Sequence, residues 1–173
     1  MAALGILAIG AAGVIALQEV TVVAGARARD LAAASAVAAS WAERLQVDGL
    51  RWSAAGPAAL DGTRWLRAAA LIPGEAHAPA AVPAEGAPAA DLLGAEAYDG
   101  DGSIQAFCAH LRLTRLAPVW PDLVRAEIRV AWERGGQPID CGTDPAEVDA
   151  APHRYGAVYL VAGVLRAPAE VSP

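Results

Sequence analysis

The stretch Met1-Ala-Ala-Leu-Gly-Ile-Leu-Ala-Ile-Gly-Ala-Ala-Gly-Val-Ile-Ala-Leu-Gln18 decides how the rest of the chain is interpreted, because none of its side chains is charged. As a helix, residues 1–17 would rise about 26 Å, slightly less than the ~30 Å hydrocarbon core of a bilayer. Apolar residues resume at Val20-Thr-Val-Val-Ala24 after one glutamine and one glutamate. We therefore expect residues 1–24 to form the apolar half of a helix that contacts lipid or other helices.

This apolar segment is rich in small residues, and its flanks do not resemble those of a signal peptide. No lysine or arginine precedes the run and no small-residue cleavage site ends it, which disfavours a secretory signal. Small residues at helical spacing let two helices approach closely. We expect a helix-packing surface here, with a general abundance of alanine as the alternative explanation. Its candidate residues are Ala8, Ala12, Ala16, Gly5, Gly10 and Gly13.

Residues 25–48 continue the helix with an amphipathic pattern. Apolar side chains recur at helical spacing while charged side chains lie off that stripe, and Gly49 is a suitable C-terminal stop. One helix from near Met1 to about Gln46 would be roughly 70 Å long, too long to be buried within so small a domain. We expect its first half to project into a membrane or an assembly. The apolar positions of the second half are Leu31, Ala34, Ala38, Trp41 and Leu45.

Residues 49–173 have the pattern of a small sheet domain. Residues 73–90, rich in alanine, proline and glycine, are expected to form an exposed loop. Residues 107–114 and 124–133 alternate apolar and polar side chains, and the connector 117–122 is short enough for a hairpin. Such alternation predicts an antiparallel sheet with one face on the helix and one in water. Residues 157–165, apolar on both faces, predict a central or covered strand. The predicted fold is α+β, a long N-terminal helix packed through its C-terminal half on a small antiparallel sheet.

Charge and cysteine usage limit the possible functions. The net charge is −6 and the pI is near 5.0, so the chain lacks the basic surface that binds nucleic acid. Cys108 and Cys141 are the only cysteines. Outside the cytoplasm we expect them to form a disulfide that stabilises the fold by roughly 3–4 kcal/mol. In a reducing compartment they would be two free thiols. The bridge would tie the first long strand to the loop after the second.

No group of residues in the sequence has the pattern of a catalytic site. The segment Asp99-Gly-Asp-Gly-Ser103 is expected to form a turn, with a calcium site at Asp99 and Asp101 as the alternative. Asp140, Asp144 and Asp149 are expected to form a solvated acidic loop, and His110 to lie on the surface of a strand. We therefore predict no enzyme activity, no catalytic residue, no cofactor, no metal and no small-molecule substrate.

Three tryptophans lie where the helix is expected to meet the domain. They are Trp41, Trp52 and Trp65. A small core with few bulky aliphatic residues uses tryptophan to fill space, so we expect these side chains to be buried. The alternative is a surface for a partner protein.

The chain resembles a known family, most closely in about its first fifty residues. Leu7-Ala-Ile-Gly10 and Val14-Ile-Ala-Leu-Gln18 resemble the N-terminal segment of type IV pilins, most closely the minor-pilin, pilus-modification (PilV-like) group. Ala38 to Trp52 resembles the end of the same helix. The segments from Leu123 to Trp132 and from Val158 to Arg166 are similar to its sheet. The resemblance is good over about fifty residues and looser beyond them.

The resemblance implies a structural protein. Family members begin with a basic leader and a Phe-Thr-Leu-Ile-Glu stretch, which do not occur here, so we expect the natural start to lie upstream of Met1. About six more residues would lengthen the helix by ~9 Å and complete a membrane span. The implied location is the inner membrane, single pass with the sheet domain in the periplasm, and the extracellular pilus after assembly. The implied partners are other minor and major pilins, contacted through the N-terminal helix. A type II secretion pseudopilin and an anchored periplasmic binding domain are alternatives.

Overall fold

The computed structural model describes residues 2–52, 60–98 and 104–167, and within the first helix it describes side chains from Val14 onward, except Ala16. The chain divides into two compact units, Met1–Ala32 and Ala33–Pro173. The elements in chain order are the helix α1 (Ala2–Gly49), the short helix α2 (Ala68–Leu71), the strands β1 (Ala76–His77), β2 (Ala89–Ala90), β3 (Phe107–Arg115) and β4 (Leu123–Glu133), the short helix α3 (Pro145–Ala150) and the strand β5 (Tyr155–Leu165).

The first unit consists of the N-terminal part of α1, which continues through Gly10 and Gly13 as the sequence predicts. Abundant alanine and the lack of proline favour this helix. Its described aliphatic side chains are largely exposed, and Leu31, predicted to lie on the buried stripe, is 52% exposed. The exposed aliphatic residues before it are Val14, Ile15, Leu17, Val20, Val22 and Val23.

The predicted helix-packing stripe lies on α1, but its side chains are outside the described residues. This applies to Ala8, Ala12, Ala16, Gly5, Gly10 and Gly13. Among the residues that the structure describes, none of the helices combines the length and apolar character of a membrane-spanning segment.

The second unit is α+β. Its sheet has the strand order β1-β3-β4-β5, all antiparallel, with β2 also paired to β3. The strands β3 and β4 form the predicted hairpin, whose ends are joined by a hydrogen bond from Leu116 N to Leu123 O of 3.1 Å. The two-residue strands β1 and β2 cover one side of β3, and β5 continues the sheet beyond β4. The part of α1 from Ala33 onward belongs to this unit.

The main core lies between this part of α1 and one face of the sheet. Alternate residues of β3 and β4 enter it, including Leu111 and Ile128, which are paired in register. Trp41, Trp52 and Trp65 are all buried, so the interpretation of these residues as core is confirmed. The rings of Trp41 and Trp65 meet edge to face with centroids 5.1 Å apart, a favoured aromatic geometry.

The opposite face of the sheet is partly covered, which corrects the prediction that it faces water. A second, smaller apolar cluster lies there. It forms because the segment 139–151, which contains α3, folds back over the disulfide end of β3 and β4. Period-two alternation could not reveal this cover, since the covering segment is separate in sequence. The buried members of the cluster are Cys108, Ala131, Ile139, Val148 and Tyr155.

Two further predictions need correction. The strand β5 is not central: among the described residues it ends the strand order, and Tyr159 and Val161 on its outer face are 62% and 59% exposed. From Tyr159 onward its apolar outer face is largely exposed, whereas Tyr155 at its start is buried in the second cluster. The loop 73–90 is exposed only in part, since β1 and β2 pair with β3 and the residues from Gly86 to Ala90 are mostly buried.

Candidate functional site

A polar groove of about 870 Å³ lies on the outer face of the sheet. His110, Arg129 and Tyr159 are opposite one another in register on β3, β4 and β5 and line this groove. The segment 73–78 forms one wall, and the segment 141–146 with Asp149 forms the other. The groove is a candidate binding site on the sheet domain.

Arg129 holds the covering segment against the sheet. Its side chain is almost fully buried, its Nη1 donates to the carbonyl of Pro145 at 2.6 Å and its Nη2 donates to Asp149 Oδ1 at 2.7 Å. The hydroxyl of Tyr159 donates to the same carboxylate oxygen at 2.7 Å. Burial and this hydrogen bond raise the pKa of Tyr159. A buried guanidinium needs such partners, because an unpaired buried charge is strongly destabilising. The arrangement is a structural clamp.

The three aspartates predicted to form a solvated acidic loop each make a hydrogen bond within the chain. Asp149 belongs to the clamp. Asp144 caps α3 by accepting from Ala146 N at 2.8 Å, with Pro145 in the first turn. Asp140 accepts from Gly142 N at 2.8 Å. Within the described residues, no three carboxylate, histidine or cysteine groups are arranged to hold a metal ion. Asp99 and Asp101, the alternative calcium ligands, lie outside the described residues.

His110 is buried, with 3% of its surface exposed, so its prediction as a surface residue was wrong. Burial lowers its pKa, which the nearby Arg129 and His77 lower further, while a hydrogen bond to the backbone of Cys141 and the charge of Asp144 act in the opposite direction. Its Nδ1 has no hydrogen-bond partner among the described residues. The pKa of His77 is also lowered by burial. Burial therefore favours the neutral form of both rings.

The structure contains the disulfide between Cys108 and Cys141, in agreement with the expectation from sequence. It joins β3 to the covering segment with a Cα–Cα distance of 5.3 Å. The bridge and the Arg129 clamp thus hold the same segment at two places on the sheet.

Sequence reasoning missed Asp48, near the end of α1. Its carboxylate is 4% exposed and accepts hydrogen bonds from the backbone nitrogens of Arg64 at 2.7 Å, Trp65 at 2.6 Å and Leu66 at 3.0 Å. It therefore satisfies three donors at the start of the turn that leads into α2. A signal was present: Asp48 follows Trp41 and Leu45 on the apolar stripe of the helix, where a lone carboxylate needs an internal partner.

A second contact between α1 and the following loops involves Arg44. Its guanidinium pairs with Glu96, which also accepts from the hydroxyl of Tyr98, and it lies 5.1 Å from the centre of the Trp41 ring. Arg44, Asp48 and Arg129 thus each have partners that position loops.

Comparison with protein-family models, with curated proteins and with solved structures finds no significant match for this chain.

Proposed function

We propose that this chain is a minor pilin, a structural subunit that primes a type IV pilus or is incorporated at its tip. The observation that supports this proposal best is the change of environment along α1. Aliphatic side chains from Val14 to Val23 are exposed, whereas Ala34, Trp41 and Leu45 are buried in the core of the sheet domain.

We infer that the exposed part of α1 contacts an apolar partner outside this chain. Six described aliphatic side chains between Val14 and Val23 are each about half exposed or more. Each such side chain gains roughly 1.5–3 kcal/mol when it is fully buried, so a helix with this surface favours association. In a pilus, the partners are the corresponding helices of other minor and major pilins. Glu19, Arg27, Arg29 and Asp30 give this unit no net charge, so its copies would not repel one another.

The proposal includes a location for each stage. Before assembly the chain resides in the inner membrane with its sheet domain in the periplasm, and after assembly it belongs to the extracellular fibre. Both locations are oxidising, and such compartments allow a disulfide such as Cys108–Cys141 to persist. In this account the chain performs no catalysis and binds no cofactor.

Two alternatives remain. A type II secretion pseudopilin would share the same helix and sheet. An anchored periplasmic binding domain is favoured by one observation, the polar groove beside His110 and Arg129. The groove supports this alternative less strongly than the exposed surface of α1 supports the pilin proposal. Its polar residues Arg129, Asp149 and Tyr159 already form hydrogen bonds with one another and with the covering segment.

The proposal is tested by replacing residues 2–24 with an unrelated apolar helix of equal length. The subunit should lose incorporation into sheared pili, because the new helix lacks the side chains that contact neighbouring subunits. A control variant with Val20→Ile and Val22→Ile keeps an aliphatic surface and should still be incorporated. Incorporation of the replaced subunit at the normal level would refute the proposal. A requirement for the secretion machinery instead of the pilus machinery would identify the pseudopilin alternative.

A further inference from the structure

The exposed aliphatic surface of α1 contains one acidic residue, Glu19. Residues three and four positions apart are neighbours on a helix surface, and those neighbours of Glu19 are Ile15, Ala16, Val22 and Val23. The three whose side chains the structure describes are between 49% and 68% exposed. Any partner that buries this aliphatic face also buries the Glu19 carboxylate. A buried carboxylate is strongly destabilising unless a cation pairs with it.

The described part of the chain does not supply this cation. None of the ion pairs between described residues involves Glu19. The nearest basic residue along α1 is Arg27, eight positions further on. Eight residues correspond to about 12 Å along the helix axis and a rotation of about 80°, so the two side chains do not meet within one helix. When the face around Glu19 is buried, we therefore expect its cation to come from the partner.

Arg27 lies in the same kind of surface with the opposite charge. Val23 is four positions before it and Leu31 is four positions after it, and they are 49% and 52% exposed. The ion pairs between described residues do not include Arg27 either, although Asp30 lies three positions away. Each stripe thus carries one charged residue between two aliphatic residues. The first stripe is Ile15-Glu19-Val23 and the second is Val23-Arg27-Leu31.

A second copy of α1 can bring the two stripes together. When two copies run parallel and are displaced by eight residues, Glu19 of one copy is level with Arg27 of the other. The same displacement places Ile15 beside Val23 of the second copy, and Val23 beside Leu31. Along these stripes, aliphatic residues meet aliphatic residues and the carboxylate meets the guanidinium. The parallel orientation follows from the proposed location, in which all copies have residues 1–24 in the same membrane.

We propose that α1 binds a second copy of this chain in parallel, displaced by eight residues, with an ion pair between Glu19 of one copy and Arg27 of the other. The two stripes are centred about 80° apart around the helix, so each copy keeps one stripe for a further copy. Head-to-tail contacts of this kind continue into rings or helical assemblies. The inference rests on the proposed function for the parallel orientation, but its tests do not require pili.

The displacement is tested by cross-linking the full chain in mild detergent with a short bis-maleimide. Omitting reductant leaves the disulfide between Cys108 and Cys141 intact. A mixture of Ile15→Cys and Val23→Cys chains, each with its own tag, should give a cross-linked product that carries both tags. Each variant alone is the control and should give little product. Copies aligned without displacement would instead link 15 to 15, and antiparallel copies would link 23 to 23.

The ion pair is tested by charge reversal. Arg27→Glu places a carboxylate beside Glu19 of the second copy and should weaken self-association by about tenfold or more in sedimentation equilibrium. Arg29→Glu is the matched control, because it changes the net charge equally but lies off the stripe, and it should associate like the unmodified chain. The double variant Glu19→Arg with Arg27→Glu should regain association, since it restores the pair with reversed charges.

All these positions are exposed, so the urea unfolding of the sheet domain should be the same in every variant. A monomeric full chain, predominant 15–15 or 23–23 links, equal effects of Arg27→Glu and Arg29→Glu, or a double variant as weak as Arg27→Glu would each overturn the proposal. Self-association in this register by a chain that is absent from sheared pili would refute the proposed function and support this inference.

Discussion

At the scale of the residue, Asp48 shows how one buried carboxylate connects two parts of the fold. It lies on α1 and accepts three backbone hydrogen bonds from residues 64–66. Without it, the backbone nitrogens of Trp65 and Leu66 would be buried donors without this partner. Hydrogen bonds to an ionised group are stronger than neutral ones, and a buried donor left unsatisfied costs about 1–3 kcal/mol. The packing of the apolar face of α1 against residues 64–66 therefore depends on one charged residue.

We predict that Asp48→Asn lowers the free energy of unfolding by about 3 kcal/mol, because its amide group brings donors towards donors. Urea denaturation of the full chain measures the effect. The control is Asp61→Asn, at an exposed aspartate, which should change stability by less than about 0.5 kcal/mol. Equal stability of the two variants would show that the Asp48 hydrogen bonds do not form as described.

At the scale of the element, the segment 139–151 determines the environment of His110. The segment buries the ring, and burial lowers the pKa of His110 below its usual 6.5. Between the two pKa values the unfolded chain therefore binds more protons than the folded chain. Stability from this source is fully present above about pH 6.5 and is lost as the pH falls towards the folded pKa. His77, whose pKa is also lowered, acts in the same direction.

We predict that the chain is less stable at about pH 5 than at about pH 7.5, and that His110→Gln reduces this difference. Glutamine offers an amide donor for the backbone of Cys141 but does not titrate. Urea unfolding at the two pH values gives the comparison. His153→Gln changes an exposed histidine and should retain the full dependence. An unchanged slope in His110→Gln would mean that the covering segment does not bury this ring.

At the scale of the whole molecule, the sequence predicted the elements better than their environments. Helix α1, the β3–β4 hairpin and the tryptophan core follow from local periodicity and residue size, and the structure confirms them. The disulfide in the structure agrees with the expectation from sequence, because a chain with two cysteines has only one possible pairing.

The remaining features depend on contacts between distant parts of the chain. His110 and Arg129 lie on the polar side of an alternating pattern, yet the segment 139–151 buries them. The apolar pattern of β5 is compatible with a central strand and with an exposed edge, and only the strand order decides between them. Periodicity reports which residues share a face, but it does not report what covers that face.

The central claim is that the exposed aliphatic surface of α1 is buried by other subunits in a pilus. The most direct measurement is maleimide labelling of Val22→Cys in sheared, membrane-free pili, beside Val119→Cys in the β3–β4 connector as an exposed control. We predict slow labelling at position 22 until the pili are denatured, and fast labelling at position 119. Absence of the chain from sheared pili, or equally fast labelling at both positions, would contradict the account.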